Sequence, residues 1–381
     1  MTSPEQTSPD QTSPEHPFRF YDNREKYLLF VTTTNEKDRI AQRIGRELEL
    51  LSPSPPALRV FDAGMGDATV LHQVLEEMHH RYPTIPFVIV GKEISMEDTR
   101  LSLMKLHTRF AEHPETVVIV TNMYYREAPW LRPSAGRQVK WHDIALDGTT
   151  AHEFGRQLRD LGDLVADGWQ TELSPTTGNP LYVDPTVLVL YRQDHAFALE
   201  HLIPKGGELE GNYDLVIAAQ PYRSRASAAF KVDKVLAPLA ESLAPGGRMV
   251  VVQATGRDPG MDIIRAIWPG EEPFASPRQA IIDRLNESSL PIRIESDDDT
   301  DSLFTYGLHH LPEHSESSIG TSMLIAAWNA AVYVAQIDDE RTSDVMRSGA
   351  AYIDATEQAL EQHDGLWFEN ESFVVVREAN D

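Results

Sequence analysis

Apolar positions along the chain fall into short unbroken runs separated by stretches of helical periodicity. Arg59 to Ala63 is a short apolar strand, and the segment after it places Val70, Leu71, Val74, Leu75 and Met78 on one face of a helix. Phe87 to Val90 and Thr116 to Thr121 show no polar alternation, the pattern of strands covered on both faces, with Met96 to Phe110 as the helix between them. Farther on come a strand, Tyr213 to Ala219, a helix, Ala226 to Leu243, and a strand, Arg248 to Gln253, behind a Pro-Gly-Gly turn. Strand and helix alternate, so the expected class is α/β: a Rossmann-like, doubly wound, mostly parallel sheet. Near the end, Leu366 to Phe368 and Phe373 to Arg377 flank Glu369 to Ser372, which predicts a terminal β-hairpin.

Three segments lie outside this alternation. Residues 1–17 carry three near-copies of an acidic, Pro-containing pentapeptide, TSPEQ, TSPDQ and TSPEH, and predict a disordered tail. Residues 18–58 hold Tyr27, Leu28 and Phe30, then Ile40, Ile44, Leu48 and Leu51 at helical spacing: an N-terminal helical lead-in ending at the Pro-rich break Ser52 to Pro56. The main domain is 59–381, with inserted segments 141–211 and 260–365. Each insertion is a candidate cover for a ligand at the sheet's carboxyl edge, or a packing ornament.

Charge narrows the partners. Of 381 residues 59 are Asp or Glu and 34 are Lys or Arg, a formal charge of −25, and only eight of the cations are Lys. No basic block exists to track phosphates, so nucleic acid is not an expected partner. Cysteine is absent, which removes disulfides, thiolate nucleophiles and Cys-based metal sites. The longest apolar segment, Met323 to Ala335, is interrupted by Asn329 and is too short to cross a bilayer, and the first thirty residues carry no basic and apolar leader. The expectation is a cytoplasmic protein with no membrane partner. Its oligomeric state is not legible.

The most informative stretch is VFDAGMGDATVL, residues 60–71. A strand entering Gly64-x-Gly66 and then a helix brings bare backbone to a ligand at the helix N-terminus. Glu93, at the end of the second strand, suits ribose hydroxyls in either a dinucleotide site or an S-adenosylmethionine site. Charge separates the two: Asp67 at the helix start would repel a pyrophosphate, and Thr69 occupies a position where the dinucleotide fingerprint wants Gly or Ala. The ammonium and sulfonium of S-adenosylmethionine are favoured beside Asp62 and Asp67. An ordinary tight turn with helix-start acids is the plain alternative.

The order Asp62-x-Gly64-x-Gly66, Glu93, Tyr213-Asp-Leu-Val-Ile217 and Leu243-Ala-Pro-Gly-Gly-Arg-Met-Val-Val-Val252 resembles the class I S-adenosylmethionine-dependent methyltransferase family over roughly residues 59–122 and 212–256. Ala68 stands where many members carry a third Gly. The resemblance implies that S-adenosylmethionine is the cofactor and that Asp62, Gly64, Gly66 and Asp67 line its approach, with Glu93 on the ribose. It also implies an adenine-side residue just after the third strand. Asn122 takes that place, or Asp143 if Gln138 to Trp141 is the true third strand. After the fourth strand, Ala219-Gln220-Pro221-Tyr222-Arg223 resembles a shortened form of the acceptor turn of amino-group methyltransferases. Gln220 and Tyr222 are therefore the catalytic candidates, beside the competing reading of a plain strand-end turn. Because methyl transfer is an in-line displacement, no nucleophile motif is required.

Tyr124, Tyr125 and Trp130 form either an aromatic wall over the substrate, Tyr125 foremost, or core packing. Arg223 and Arg225 meet a substrate carboxylate or a surface ion pair. His309, His310 and His314 are loop histidines, with His309 the substrate-contact candidate. His72, Glu76, His79 and His80 occupy the helix face opposite Val70 and Leu71, so a solvated surface is expected there and no metal site is assigned. Buried Asn329 needs a hydrogen-bond partner. The leading expectation is a methyltransferase for a small or medium-sized acceptor, nitrogen before oxygen. A non-catalytic binding module of the same fold and an NAD-dependent oxidoreductase are the competing classes.

Overall fold

The computed structural model describes residues 24–53, 55–134, 136–174, 180–206, 209–295, 302–309 and 321–379. The expected tail, His310 and His314 lie outside these residues. Twelve strands are described: β1 (Leu58–Asp62), β2 (Phe87–Lys92), β3 (Thr116–Thr121), β4 (Lys140–Leu146), β5 (Thr171–Leu173), β6 (Pro180–Tyr182), β7 (Thr186–Arg192), β8 (Tyr213–Ala219), β9 (Leu243–Ala254), β10 (Ile292–Glu295), β11 (Leu303–Gly307) and β12 (Trp367–Arg377). All but β5 and β6 form one sheet in the order β10-β12-β9-β8-β1-β2-β3-β7-β4, with β11 also on β12.

The five central strands are parallel: β1 pairs with β2 and β8, β2 with β3, and β8 with β9. Along β1 the side chains alternate between two cores. Leu58 and Val60 face the helices Glu36–Leu48 and Thr69–Arg81, while Phe61 faces the side that holds Val232, Leu236 and Ile281. Burial on both faces explains why these strands read as continuous apolar runs. From β1 the chain winds toward β2 and β3 in one direction, and β8 and β9 lie on the other side. The carboxyl ends of β1, β2 and β8 thus frame a topological switch point, the usual crevice for a ligand.

Two expectations change here. The chain does end in an antiparallel strand at the far side of the sheet, but Glu369 to Ser372 is no turn. β12 runs unbroken from Trp367 to Arg377, because Asn370 through Ser372 pair with Ala254, Gln253 and Val252 of β9. The third strand is Thr116–Thr121. The Gln138 to Trp141 region opens β4, which sits at the outer edge, separated from β3 by the antiparallel β7.

The two inserted segments take different places. The first supplies β4 and β7, extending the sheet. The second supplies β10, β11 and the helix Thr321–Val334, which packs with Phe30 and the helix Pro259–Ile267 in a third apolar cluster. Asn329 finds its partner there: its amide donates to the Lys26 carbonyl at 3.0 Å. The polar face of the helix Thr69–Arg81 is solvated in part: Glu76 and His80 are exposed, while His72 meets Thr108 Oγ1 at 3.1 Å and Arg109 pairs with Glu76 at 3.3 Å. Among the described residues no helix is long and apolar enough to cross a membrane.

Candidate active site

At the switch point lies a cavity of about 220 Å³. Its floor is the turn after β1. Gly66 adopts φ +52, a conformation that favours glycine, and a Cβ there would push on the Tyr27 hydroxyl at 2.9 Å. Ala68 also holds a left-handed φ of 60 as the cap of the helix Thr69–Arg81, a conformation that costs a non-glycine residue roughly 1 kcal/mol. The Ala found in place of a third Gly therefore sits in glycine-like backbone.

Two carboxylates, Asp62 buried and Glu93 half-buried, lie beside this turn, and backbone amides hold both. Asp62 Oδ1 accepts from Gly64 N at 3.1 Å. Glu93 Oε2 accepts from Gly66 N at 2.9 Å, and its Oε1 accepts from Ile94 N at 2.8 Å and Ser95 N at 2.7 Å. Burial pushes the Asp62 carboxyl up to about 7 against the opposing Gly64 bond, and burial also raises Glu93. Asp67 differs. Despite burial, Lys105 and Thr69 hold its carboxyl below the usual range, so its charge is already balanced by an ion pair with the Lys105 ammonium.

Three elements remote in sequence close the cavity. Tyr27 and Lys37 come from the N-terminal helices and Tyr333 from the helix Thr321–Val334; the Tyr27 and Tyr333 ring centroids lie 5.9 Å apart. Lys37 Nζ is 3.2 Å from Glu36 Oε2, and Glu36 Oε1 accepts from Gln220 Nε2 at 2.9 Å, tying the roof to the end of β8. Burial opposes the Lys37 charge but Glu36 outweighs it, and its pKa is raised. Lys92 stands 4.5 Å from the centre of the Tyr125 ring, its pKa lowered by burial.

The structure thus brings Asp62, Gly64, Gly66, Asp67, Glu93, Tyr125 and Gln220 around one cavity. It does not bring the others there. Asn122 is buried with its amide fully engaged: Nδ2 donates to the Gly168 and Asp184 carbonyls at 2.9 Å each, and Oδ1 accepts from Thr186 N at 2.9 Å. The first insertion occupies the space beyond β3 and uses Asn122 as a clamp. Asp143 lies on the edge strand β4 beside Tyr191. Tyr222 turns into a separate, smaller cavity. Tyr124 packs on Tyr182 with centroids 4.5 Å apart. Arg225 donates to the Ala335 carbonyl at 3.0 Å and pairs with Glu271, while Arg223 does not line the cavity. His309 is exposed on a loop whose backbone N–H donates to Thr33 O at 2.7 Å.

Sequence reasoning missed Tyr27, Lys37, Lys92, Asp98 and Tyr333 on the lining. Lys92 and Asp98 flank Glu93 and were findable by extending that motif. The other three carry no local signal, because their position depends on how distant helices pack.

No protein-family model matches this sequence, and neither does any curated protein. Among solved structures it is similar to a geranyl diphosphate methyltransferase in complex with GPP and sinefungin (11% identity, 90% of this chain and 77% of that one, TM-score 0.34). A SAM-dependent methyltransferase from Archaeoglobus fulgidus matches at 9% identity over 94% of this chain and 100% of that one, TM-score 0.33. The plantazolicin methyltransferase BpumL in complex with SAH matches at 9% identity over 94% and 88%, TM-score 0.32. With likeness this distant, function has to be argued from the cavity's own residues.

Proposed function

We propose that the protein is an S-adenosylmethionine-dependent methyltransferase acting on a small or medium-sized acceptor, nitrogen in preference to oxygen. The observation that carries this reading is Glu93, a half-buried carboxylate at the switch point with one oxygen on the Gly66 amide and two amides on the other. Oε2 keeps a lone pair for a ribose hydroxyl, and the adjacent Asp62 offers a counter-charge to the cofactor's ammonium. A pyrophosphate brought to this turn would face both carboxylates.

Bound in such a site, the cofactor supplies an electrophilic methyl group on sulfur. An acceptor nitrogen taking that methyl group would release its proton to solvent. Little is asked of the protein beyond alignment and exclusion of water. We assign the orienting of an accepting nitrogen to Gln220, which follows β8 with φ 51, and the covering ring to Tyr125, because both line the cavity. The reading takes a small molecule in the cytoplasm as partner, in keeping with an enclosed site and a net charge of −25.

Calorimetry with S-adenosylhomocysteine is the direct test. Absence of binding by the folded wild type overturns the reading, as does undiminished binding by both Asp62→Ala and Glu93→Ala. Mass spectrometry of a cell extract incubated with the protein and methyl-labelled cofactor then finds the acceptor without guessing it.

A further inference from the structure

Beside the larger cavity lies a second one, of about 20 Å³, and Gln220 lines both. Its walls include Tyr222 and Ser224 after β8, Gln253 on β9, and Lys231. Lys231 is only 2% exposed. Its ammonium meets Gln253 Oε1 at 3.4 Å and the face of the Tyr222 ring at 4.8 Å, and among the described residues no carboxylate forms an ion pair with it. The nearest acid in effect, Glu371, is held behind Gln253, whose Nε2 donates to it at 2.8 Å. Burying an ammonium without a counter-ion is costly, and such a group either gives up its proton or is met by an anion.

Two further observations point into the same space. Ser224 Oγ is buried with no hydrogen-bond partner, although the Ser224 N–H is satisfied by Gln336 Oε1 at 3.1 Å. Lys231 is also the last residue before a π-helical turn, Val232–Leu236, an irregularity that re-aims side chains and recurs at functional sites. Burial holds the lysine down to about 8, so at neutral pH it is a cation that an anion would stabilise.

The geometry points to an anion subsite in which Lys231 and Ser224 hold a carboxylate of the methyl acceptor, whose accepting atom reaches back past Gln220 into the larger cavity. The acceptor's role rests on the methyltransferase reading; the anion site does not. One ammonium and one hydroxyl, with Glu371 behind, match a two-oxygen monoanion in a space little larger than one water, and fall short of what a phosphate dianion needs.

The test uses protein labelled with 13C-lysine, with the Lys231 resonance assigned from its absence in Lys231→Met. Sodium acetate is titrated against sodium chloride at equal ionic strength. The expected result is a saturable Lys231 shift with acetate alone, and about fivefold to tenfold weaker binding in Ser224→Ala. No saturable shift in the folded wild type overturns the proposal. So do acetate binding unchanged by Ser224→Ala and phosphate binding tighter than acetate. A parallel titration with S-adenosylhomocysteine separates the two claims: its failure with acetate binding intact overturns the cofactor reading and leaves the anion site standing.

Discussion

The larger cavity sets two carboxylates on main-chain N–H groups beside the ammoniums of Lys37 and Lys92, whereas the smaller one holds the Lys231 ammonium with no carboxylate in contact among the described residues, although both lie along the carboxyl edge of one sheet. Asp62 and Glu93 are solvated by main-chain N–H groups that the strand-to-helix turns after β1 and β2 supply as part of the fold. Lys231 has no equivalent. Its neighbours are a side-chain amide and an aromatic face. An α/β sheet therefore accommodates a buried anion at its carboxyl edge with backbone alone, whereas a buried cation there must be met by side chains or by a ligand. A net charge of −25 belongs to neither cavity; each is set by a few groups at a strand end.

The strongest way to break this contrast is Glu93→Ala. It removes the acceptor of three amides and should lower affinity for S-adenosylhomocysteine about 100-fold, roughly 2.7 kcal/mol, by calorimetry on protein shown to be folded by circular dichroism. Next comes the pH dependence of Asp62. Its folded pKa of about 7 lies above the unfolded 3.8, so the folded chain binds more protons between those values and stability falls as pH rises from about 4 to 7. Asp62→Asn should flatten that slope, on the order of 2 kcal/mol between urea midpoints at pH 5 and pH 8. Affinity for S-adenosylhomocysteine should rise over the same interval in the wild type only, as the carboxylate that meets its ammonium forms.

Asn122→Ala separates clamp from ligand contact. Losing three buried hydrogen bonds should cost about 2 kcal/mol in urea denaturation, with cofactor affinity changed less than about twofold. The smallest effect belongs to Lys231, with the opposite sign to Asp62. Its pKa of about 8 lies below the unfolded 10.5, so the unfolded chain binds the extra proton between them and stability rises with pH across that window. Lys231→Met should abolish the rise and stabilise the protein at pH 7 by on the order of 1 kcal/mol. A fall in stability would mean that the lysine is better satisfied than its neighbours suggest.

Much of this was legible in the sequence, and the boundary follows a physical line. β3 and β8 run over the residues that the apolar runs mark, since burial on both faces leaves no polar alternation to blur the ends. Asp62, the glycines and Glu93 were legible because one turn and one strand end bring them together locally. Asn122 misled because its rule, the residue after the third strand, assumes open space where β7 and its flanking loops pack. Tyr222 misled because the turn after β8 directs the ring to Lys231 and Gln253 instead of toward Gln220's other side. Lys37 and Tyr333 were invisible for want of any local pattern: each reaches the cavity only through packing between segments far apart in the chain.

The roof also fixes the order in which the molecule can be completed. Tyr27 leaves the ribosome some three hundred residues before Tyr333, yet they meet over the same glycine turn. β12, later still, lies between β9 and β10. A nascent chain that has released only the parallel strands holds the acids and the turn in an uncovered trough. Closure waits for the helix Thr321–Val334, so the trough is roofed only once that helix has been made.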